Sequence, residues 1–324
     1  MRYMTFTLLF FALLVPACRK KKSNLFFPPA GPSIGPGDHK DSIQHIGLTR
    51  TFEYHVPASW TYADEQPLVF ALHGGGGNGD RMIALTQGGF DTLSESEGFI
   101  VVYPDAYEKQ WNDGRGIEDY ASHLYNVDDV GFLSTLIDYF DDSYNIDRKR
   151  VYATGISNGS FMSHRLGIEA SDRFAAVAPV CGSLTENLSL LTPMGPIPIL
   201  IMVGVEDPMV PFGGGDIVIL GITGMGRVIS AANTVNYWVS NNVCDPAPTV
   251  TWLPDLDPDD GTLVRRDVYG NGLSGSEVVY YEVVGGGHTW PGGWQYLGEW
   301  LVGKTCRDMD ANTVIWDFFK THSQ

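Results

Sequence analysis

Gly155, Ile156, Ser157, Asn158 and Gly159 lie between an apolar run at 150–154 and a helix-like stretch at 160–166, so a serine stands in G-x-S-x-G between strand and helix. A sharp turn at that point forces the serine into a strained backbone conformation. The flanking residues must be small because strand and helix pass close to one another. The turn lifts Oγ out of the sheet and sets the Asn158 N–H at a helix N-terminus, where it can bind a developing oxyanion. The five-residue pattern alone says little in a chain with 38 glycines. Its strand–turn–helix setting is what gives Ser157 weight as a nucleophile.

Such a serine needs a base. On this kind of turn the acid and then the histidine follow the nucleophile along the chain. Of eight histidines, His39, His45, His55, His73 and His123 precede Ser157, and His164 falls on the helix directly after it. His322 is close to the chain end, where fraying works against fixed geometry. That leaves His288, within a glycine-flanked segment at 285–293 that follows an apolar strand at 278–284. The acid is expected on a loop after a strand between Ser157 and His288. The run at 198–203 is continuously apolar, as in a strand buried on both faces, and Glu206, Asp207 and Pro208 follow it. Asp207 is the first choice, since the proline biases it towards extended backbone at the loop tip; Glu206 is the second.

A second oxyanion donor should come from the glycine-rich segment 73–79, after an apolar strand at 67–72. Gly75 is the expected donor, with Gly74 and Gly76 next to it, and His73 reads as a buried residue that fixes the loop. Phosphate cradling is the competing use of such a turn. It lacks support here, because no Gly-Lys-Ser/Thr ends the loop.

To hold these loops, the chain alternates strand and helix. Residues 50–56 alternate as an antiparallel strand should, 98–103 read as a buried strand, and 127–140 carry apolar residues at helical spacing. Helices are also expected at 228–241 and 311–320. This order implies an α/β fold with a mostly parallel central sheet and helices on both faces.

Seven segments (72–79, 103–116, 127–140, 151–166, 174–182, 204–212 and 285–293) together resemble the LpqC-type family, which comprises polyhydroxybutyrate depolymerase-like and feruloyl esterase-like α/β-hydrolases. The resemblance runs from about Leu48 to Lys320. It implies an α/β-hydrolase fold, ester hydrolysis without a cofactor, and Ser157, Asp207 and His288 as the triad. A glycine frequent in the family is replaced here by Ser160.

The chain has 324 residues, 44% of them apolar and 18% charged, which suffices for a large core. A net charge of −17 argues against a nucleic-acid partner, whose phosphates it would repel. Arg2 and a short apolar run ending at Ala17 read as a signal peptide over 1–17, and Cys18 as the lipidated first residue of a bacterial lipoprotein. The expected address is the outer membrane or cell surface, with plain secretion as the alternative. A tether rich in proline and glycine is expected over 18–47, ahead of a catalytic domain over 48–324. Export permits disulfides. Cys244 and Cys306, both in polar surroundings, are expected to pair, and Cys181 to be a small core residue.

Asp255, Asp257, Asp259 and Asp260 read as a hairpin turn rather than a calcium loop. No HExxH or CxxC suggests zinc, so no metal is expected. Trp111 and Trp290 each read either as lining the acyl pocket or as pinning a loop. The expected function is a serine carboxylesterase acting on small or oligomeric esters, feruloylated or acetylated polysaccharide fragments before hydroxyalkanoate oligomers. No room is expected for an added polymer-binding module. The rival from another class is a catalytically silent fold that binds polysaccharide.

Overall fold

The computed structural model describes residues 35–324. The signal segment, Cys18 and most of the expected tether lie outside the described residues. The first described strands, β1 (Gly37–His45) and β2 (Leu48–Val56), form a hairpin in continuous register from Gly37↔Val56 to His45↔Leu48. The expectation of a tether as far as residue 47 is therefore corrected: Gly37–His45 is a strand of the sheet. No residue of β1 is fully buried, and its outward positions are polar, so the segment carries no apolar signature. Its backbone pairs with β2 across Ile46 and Gly47, whose φ values of 46° and 77° are those a two-residue hairpin turn requires.

The domain continues through β3 (Gln66–Leu72), α1 (Gly79–Leu85), α2 (Gly89–Glu97), β4 (Ile100–Pro104), α3 (Ala121–Leu124), α4 (Asp129–Tyr144), β5 (Ile146–Ile156), α5 (Asn158–Glu169), β6 (Ala176–Val180) and β7 (Ile199–Gly204). A two-residue pair, β8 (Gly215–Asp216) with β9 (Arg227–Val228), precedes α6 (Ala231–Asn242). Then come β10 (Thr249–Trp252), β11 (Leu263–Tyr269), β12 (Val278–Val284), α7 (Glu299–Val302) and α8 (Ala311–Phe319). Ten strands form one sheet in the order β1-β2-β4-β3-β5-β6-β7-β12-β11-β10. From β4 to β12 the neighbours are parallel; the hairpin at each edge is antiparallel.

Because strand side chains alternate, the sheet divides the core in two. Phe70, Leu72, Val151 and Ala153 face a layer holding Phe132, Leu136 and Phe140 of α4, Met162 and Leu166 of α5, and Trp238 of α6. Val69, Ala71, Tyr152 and Ala176 face Met82 of α1, Phe90 of α2, and Ile315, Trp316 and Phe319 of α8. Helices thus cover both faces. Caps set the helix starts that periodicity blurred. Asp128 accepts from Gly131 N at the head of α4, and Ser230 accepts from Asn233 N at the head of α6. Val228, read as helical, is spent in β9 instead.

The same division corrects the expected Cys244–Cys306 disulfide. Cys181, Cys244 and Cys306 are free and buried. Cys244 packs with the α6 layer and Cys306 with the α8 layer, so the sheet separates the two thiols. Cys181 is a core residue, as read.

Candidate active site

Three strand ends place the residues singled out above. Ser157 follows β5, Asp207 follows β7 and His288 follows β12, all parallel strands delivering their loops at one edge of the sheet. Ser157 has φ 58° and ψ −117°, a conformation that an L-residue keeps only under external constraint. The constraint is visible. Ser157 N donates to Val180 O at 3.0 Å, and a Cβ on Gly155 would stand 2.7 Å from both Leu72 O and the carbonyl carbon of Gly159. Glycine is required on both sides of the turn because three backbones meet there.

His288 Nδ1 lies 2.6 Å from Asp207 Oδ2, with both side chains 3% exposed. The other carboxylate oxygen, Oδ1, accepts from Met209 N at 2.8 Å and Val210 N at 2.9 Å, which fixes the plane of the carboxylate. Since an ionised carboxylate only accepts, Nδ1 is the donor of this bond, which in the neutral ring leaves the lone pair on Nε2. Glu206, the second candidate for the acid, is exposed. The imidazole is held through its own backbone: His288 N donates to Val302 O at 2.6 Å, and Tyr296 Oη donates to His288 O at 2.9 Å.

Within the glycine loop, Gly76 N donates to Lys109 O and Gly77 N to Gly74 O. Among the described residues no backbone hydrogen bond engages the N–H of Gly75, which is exposed, and a Cβ on Gly74 would stand 3.5 Å from that of Ser157. His73 fixes this loop. Its Nδ1 donates to Gly74 O at 2.7 Å, and its Nε2 accepts from Ala106 N at 3.1 Å. Burial lowers its pKa to about 4, so the ring is neutral, as that pair of bonds requires.

Residues 91–218 match the Dienelactone hydrolase family. The chain is 26% identical over 273 residues to "Feruloyl esterase C" of Emericella nidulans, covering 81% of this chain and 86% of that one. It is 32% identical over 278 residues to "Putative esterase NocK" of Nocardia uniformis subsp. tsuyamanensis, covering 84% of this chain and 79% of that one. The chain belongs to the LpqC-type family of polyhydroxybutyrate depolymerase-like and feruloyl esterase-like α/β-hydrolases. It is a carboxylic ester hydrolase. Among solved structures, an acetyl xylan esterase from Aspergillus awamori superposes with a TM-score of 0.54 at 14% identity, covering 87% of this chain and 99% of that one; the likeness is one of fold.

In this esterase the two tryptophans pin loops. Trp111 is fully buried and its Nε1 donates to His73 O at 3.0 Å; Trp290 is equally buried, with Nε1 donating to Asn312 Oδ1 at 3.1 Å. Neither reaches a surface where substrate could touch it, so the pocket-lining reading is set aside for both. The Asn158 side chain does work the sequence did not announce. Its Oδ1 accepts from Trp111 N at 2.8 Å, while Nδ2 donates to Trp111 O at 3.1 Å and to Asp113 Oδ2 at 2.5 Å. Asp113 is paired in turn with Arg115 at 2.9 Å, and His123 Nε2 donates to Trp111 O at 3.0 Å. The segment 103–116 thus clamps the residue that follows Ser157, on the side where an oxyanion would sit.

Two further residues stand at the site although the sequence did not place them there. Gln110 overlies Gly75, and its Oε1 is buried without a hydrogen-bond partner. Cys181, at φ 51°, donates Sγ–H to Thr289 O at 3.0 Å and backs onto the Asp207–His288 pair, within 4.8 Å of their polar atoms. Burial pushes its thiol well above the usual range, so it stays protonated. No spacing in the chain brings Gln110 to Gly75 or Cys181 to His288. Only the sheet order does.

Proposed function

We propose that this esterase works through an acyl-enzyme, with Ser157 as nucleophile, His288 as base and Asp207 as the acid that orients it. Ser157 Oγ attacks the ester carbonyl and its proton passes to His288 Nε2, while Asp207 stabilises the imidazolium. The N–H groups of Asn158 and Gly75 hold the oxyanion. His288 then returns the proton to the departing alcohol, and a water that it deprotonates releases the acid. The observation that carries this reading is the 2.6 Å contact of His288 Nδ1 with Asp207 Oδ2 at the same sheet edge as the strained Ser157 turn. A fluorophosphonate should label the wild type at Ser157 and leave Ser157→Ala unlabelled. A folded wild type that resists labelling would favour the silent binding fold.

The substrate reading is feruloylated or acetylated fragments of plant polysaccharide, supported by the likeness to a feruloyl esterase. Hydrolysis of methyl ferulate or acetylated xylo-oligosaccharides, with little clearing of crystalline polyhydroxybutyrate, is the expected pattern. The reverse pattern would assign the chain to polyester instead.

Export with lipidation at Cys18 belongs to the same reading and rests on the apolar run that ends at Ala17. The wild type should partition with membranes and Cys18→Ser should not, because stable anchoring needs the acyl chains of a lipoprotein. Equal partitioning would leave an ordinary secretory signal.

A further inference from the structure

Away from the catalytic centre, the turn that leads into β11 meets the segment between α7 and α8, and three ligand-bearing side chains converge there. One polar atom each from Asp260, Cys306 and Asp308 lies within 4.8 Å of the others. Thr262 joins them, its hydroxyl beside the Cys306 thiol. Asp308, Thr262 and Cys306 are 4%, 2% and 1% exposed. Asp260 Oδ1 accepts from Thr262 N and its Oδ2 from Arg307 N, each at 2.6 Å. Asp308 Oδ1 accepts from Leu256 N at 2.7 Å and Asp257 N at 3.1 Å.

The remaining atoms lack partners. Asp308 Oδ2 is shut off from solvent with no hydrogen bond, and Thr262 Oγ1, equally shut off, has the Cys306 thiol beside it. Among the described residues, neither Asp260 nor Asp308 has a Lys, Arg or His nitrogen in ion-pair range. A buried carboxylate oxygen with no donor is costly, and the Lys304 ammonium, which lies over Gly261, stays outside ion-pair range of both carboxylates. Residues that fold into that arrangement leave a position where a positive charge would be held on several sides. Acidic neighbours deepen the field: Asp255 has its carboxyl pushed up by desolvation and by Asp308, Asp260 and Asp257.

We propose that Asp260, Cys306 and Asp308, with Thr262 Oγ1 completing the set, bind a divalent cation of the zinc type. Two carboxylates and one sulfur suit a borderline ion that accepts both oxygen and thiolate at about 2.0–2.3 Å. Calcium would use the oxygens and leave the sulfur idle. Binding replaces the Cys306 S–H bond by an S–metal bond and releases that proton to the buffer. The ion would tie the β10–β11 connection to the segment whose Lys304 O and Cys306 O accept from Gly287 N at 2.9 Å and Gly292 N at 2.8 Å, on either side of His288. Its role is that of a staple for the loop that carries the imidazole.

The test is a titration of the chelator-treated full chain with cobalt(II) and zinc(II). Wild type should bind one equivalent of cobalt with a near-ultraviolet sulfur-to-metal band, lose the band to added zinc, and gain several degrees in Tm. Cys306→Ser should lose the band while remaining folded, and Asp308→Asn should bind far more weakly. Cys181→Ala should keep the band, which separates this cluster from the cysteine behind His288. Absence of both band and Tm shift in wild type at millimolar metal would overturn the site. A calcium-induced Tm rise equal in wild type and Cys306→Ser, without a cobalt band, would overturn the thiolate.

Discussion

The two sides of the catalytic centre are held by different means. On the Ser157 side, polar side chains do the holding: Asn158, Asp113, Arg115, His123 and His73 bind backbone or one another in a buried network around Trp111. On the His288 side, main chain meets main chain. A Cβ on Gly204 would stand 2.5 Å from Gly286 O, one on Gly287 would stand 2.7 Å from Gly303 C, and His288 hangs from Val302 O. The first side resists displacement because breaking it strands buried charge. The second relies on close packing and a few hydrogen bonds, with the Asp207–His288 pair as its one buried side-chain link. In the proposed acyl transfer the oxyanion side would stay rigid while the base moves a proton between two oxygens, and the two constructions would suit those tasks.

Substitutions can break this comparison in order of size. Ser157→Ala or His288→Ala should lower kcat by up to about 10⁶-fold, since members of such a unit fail together. Near wild-type turnover in a folded Ser157→Ala protein would end the acyl-enzyme reading. Asp207→Asn should cost about 10⁴-fold by favouring the wrong tautomer. Asp113→Ala leaves Arg115 buried without its partner and should destabilise the fold by about 3–5 kcal/mol in denaturant melts. A loss below about 1 kcal/mol there would erase the contrast between the two sides.

Acid should attack the serine side as well. Burial lowers the pKa of His73 and of His164, on α5, to about 4. The unfolded chain takes up these protons first, near pH 6.5, so the stabilisation is complete above that pH and is lost as pH falls towards about 4. Each histidine can contribute up to about 3 kcal/mol to that loss. A Tm that stays level from pH 7 to pH 5 would contradict it. On the histidine side, Tyr296→Phe removes one hydrogen bond to His288 O and should cost about 1 kcal/mol. Glu206→Gln, at an exposed position, should leave kcat unchanged; a larger loss than in Asp207→Asn would reassign the acid.

Much of this arrangement was readable in the chain because it depends on local rules. A serine between strand and helix, glycines where backbones cross, and continuous apolar runs for doubly buried strands are all short-range signals. They placed Ser157, Asp207, His288 and the central parallel sheet. What failed depends on distance in space. Strand β1 is stabilised by pairing rather than by apolar content. The Cys244–Cys306 pairing looked reasonable until the sheet came between them. Trp111 and Trp290 stood at loop positions that gave no hint of complete burial, since what covers them comes from remote segments.

The backbone of Ser157 has a thermodynamic corollary. A side chain at φ 58° and ψ −117° pays about 1–3 kcal/mol that glycine would escape. Alanine keeps the Cβ and hence the strain, so Ser157→Gly should melt above Ser157→Ala even though glycine gains more freedom when unfolded. The gap in Tm between those two variants measures the strain that the Ser157 turn stores in the folded chain.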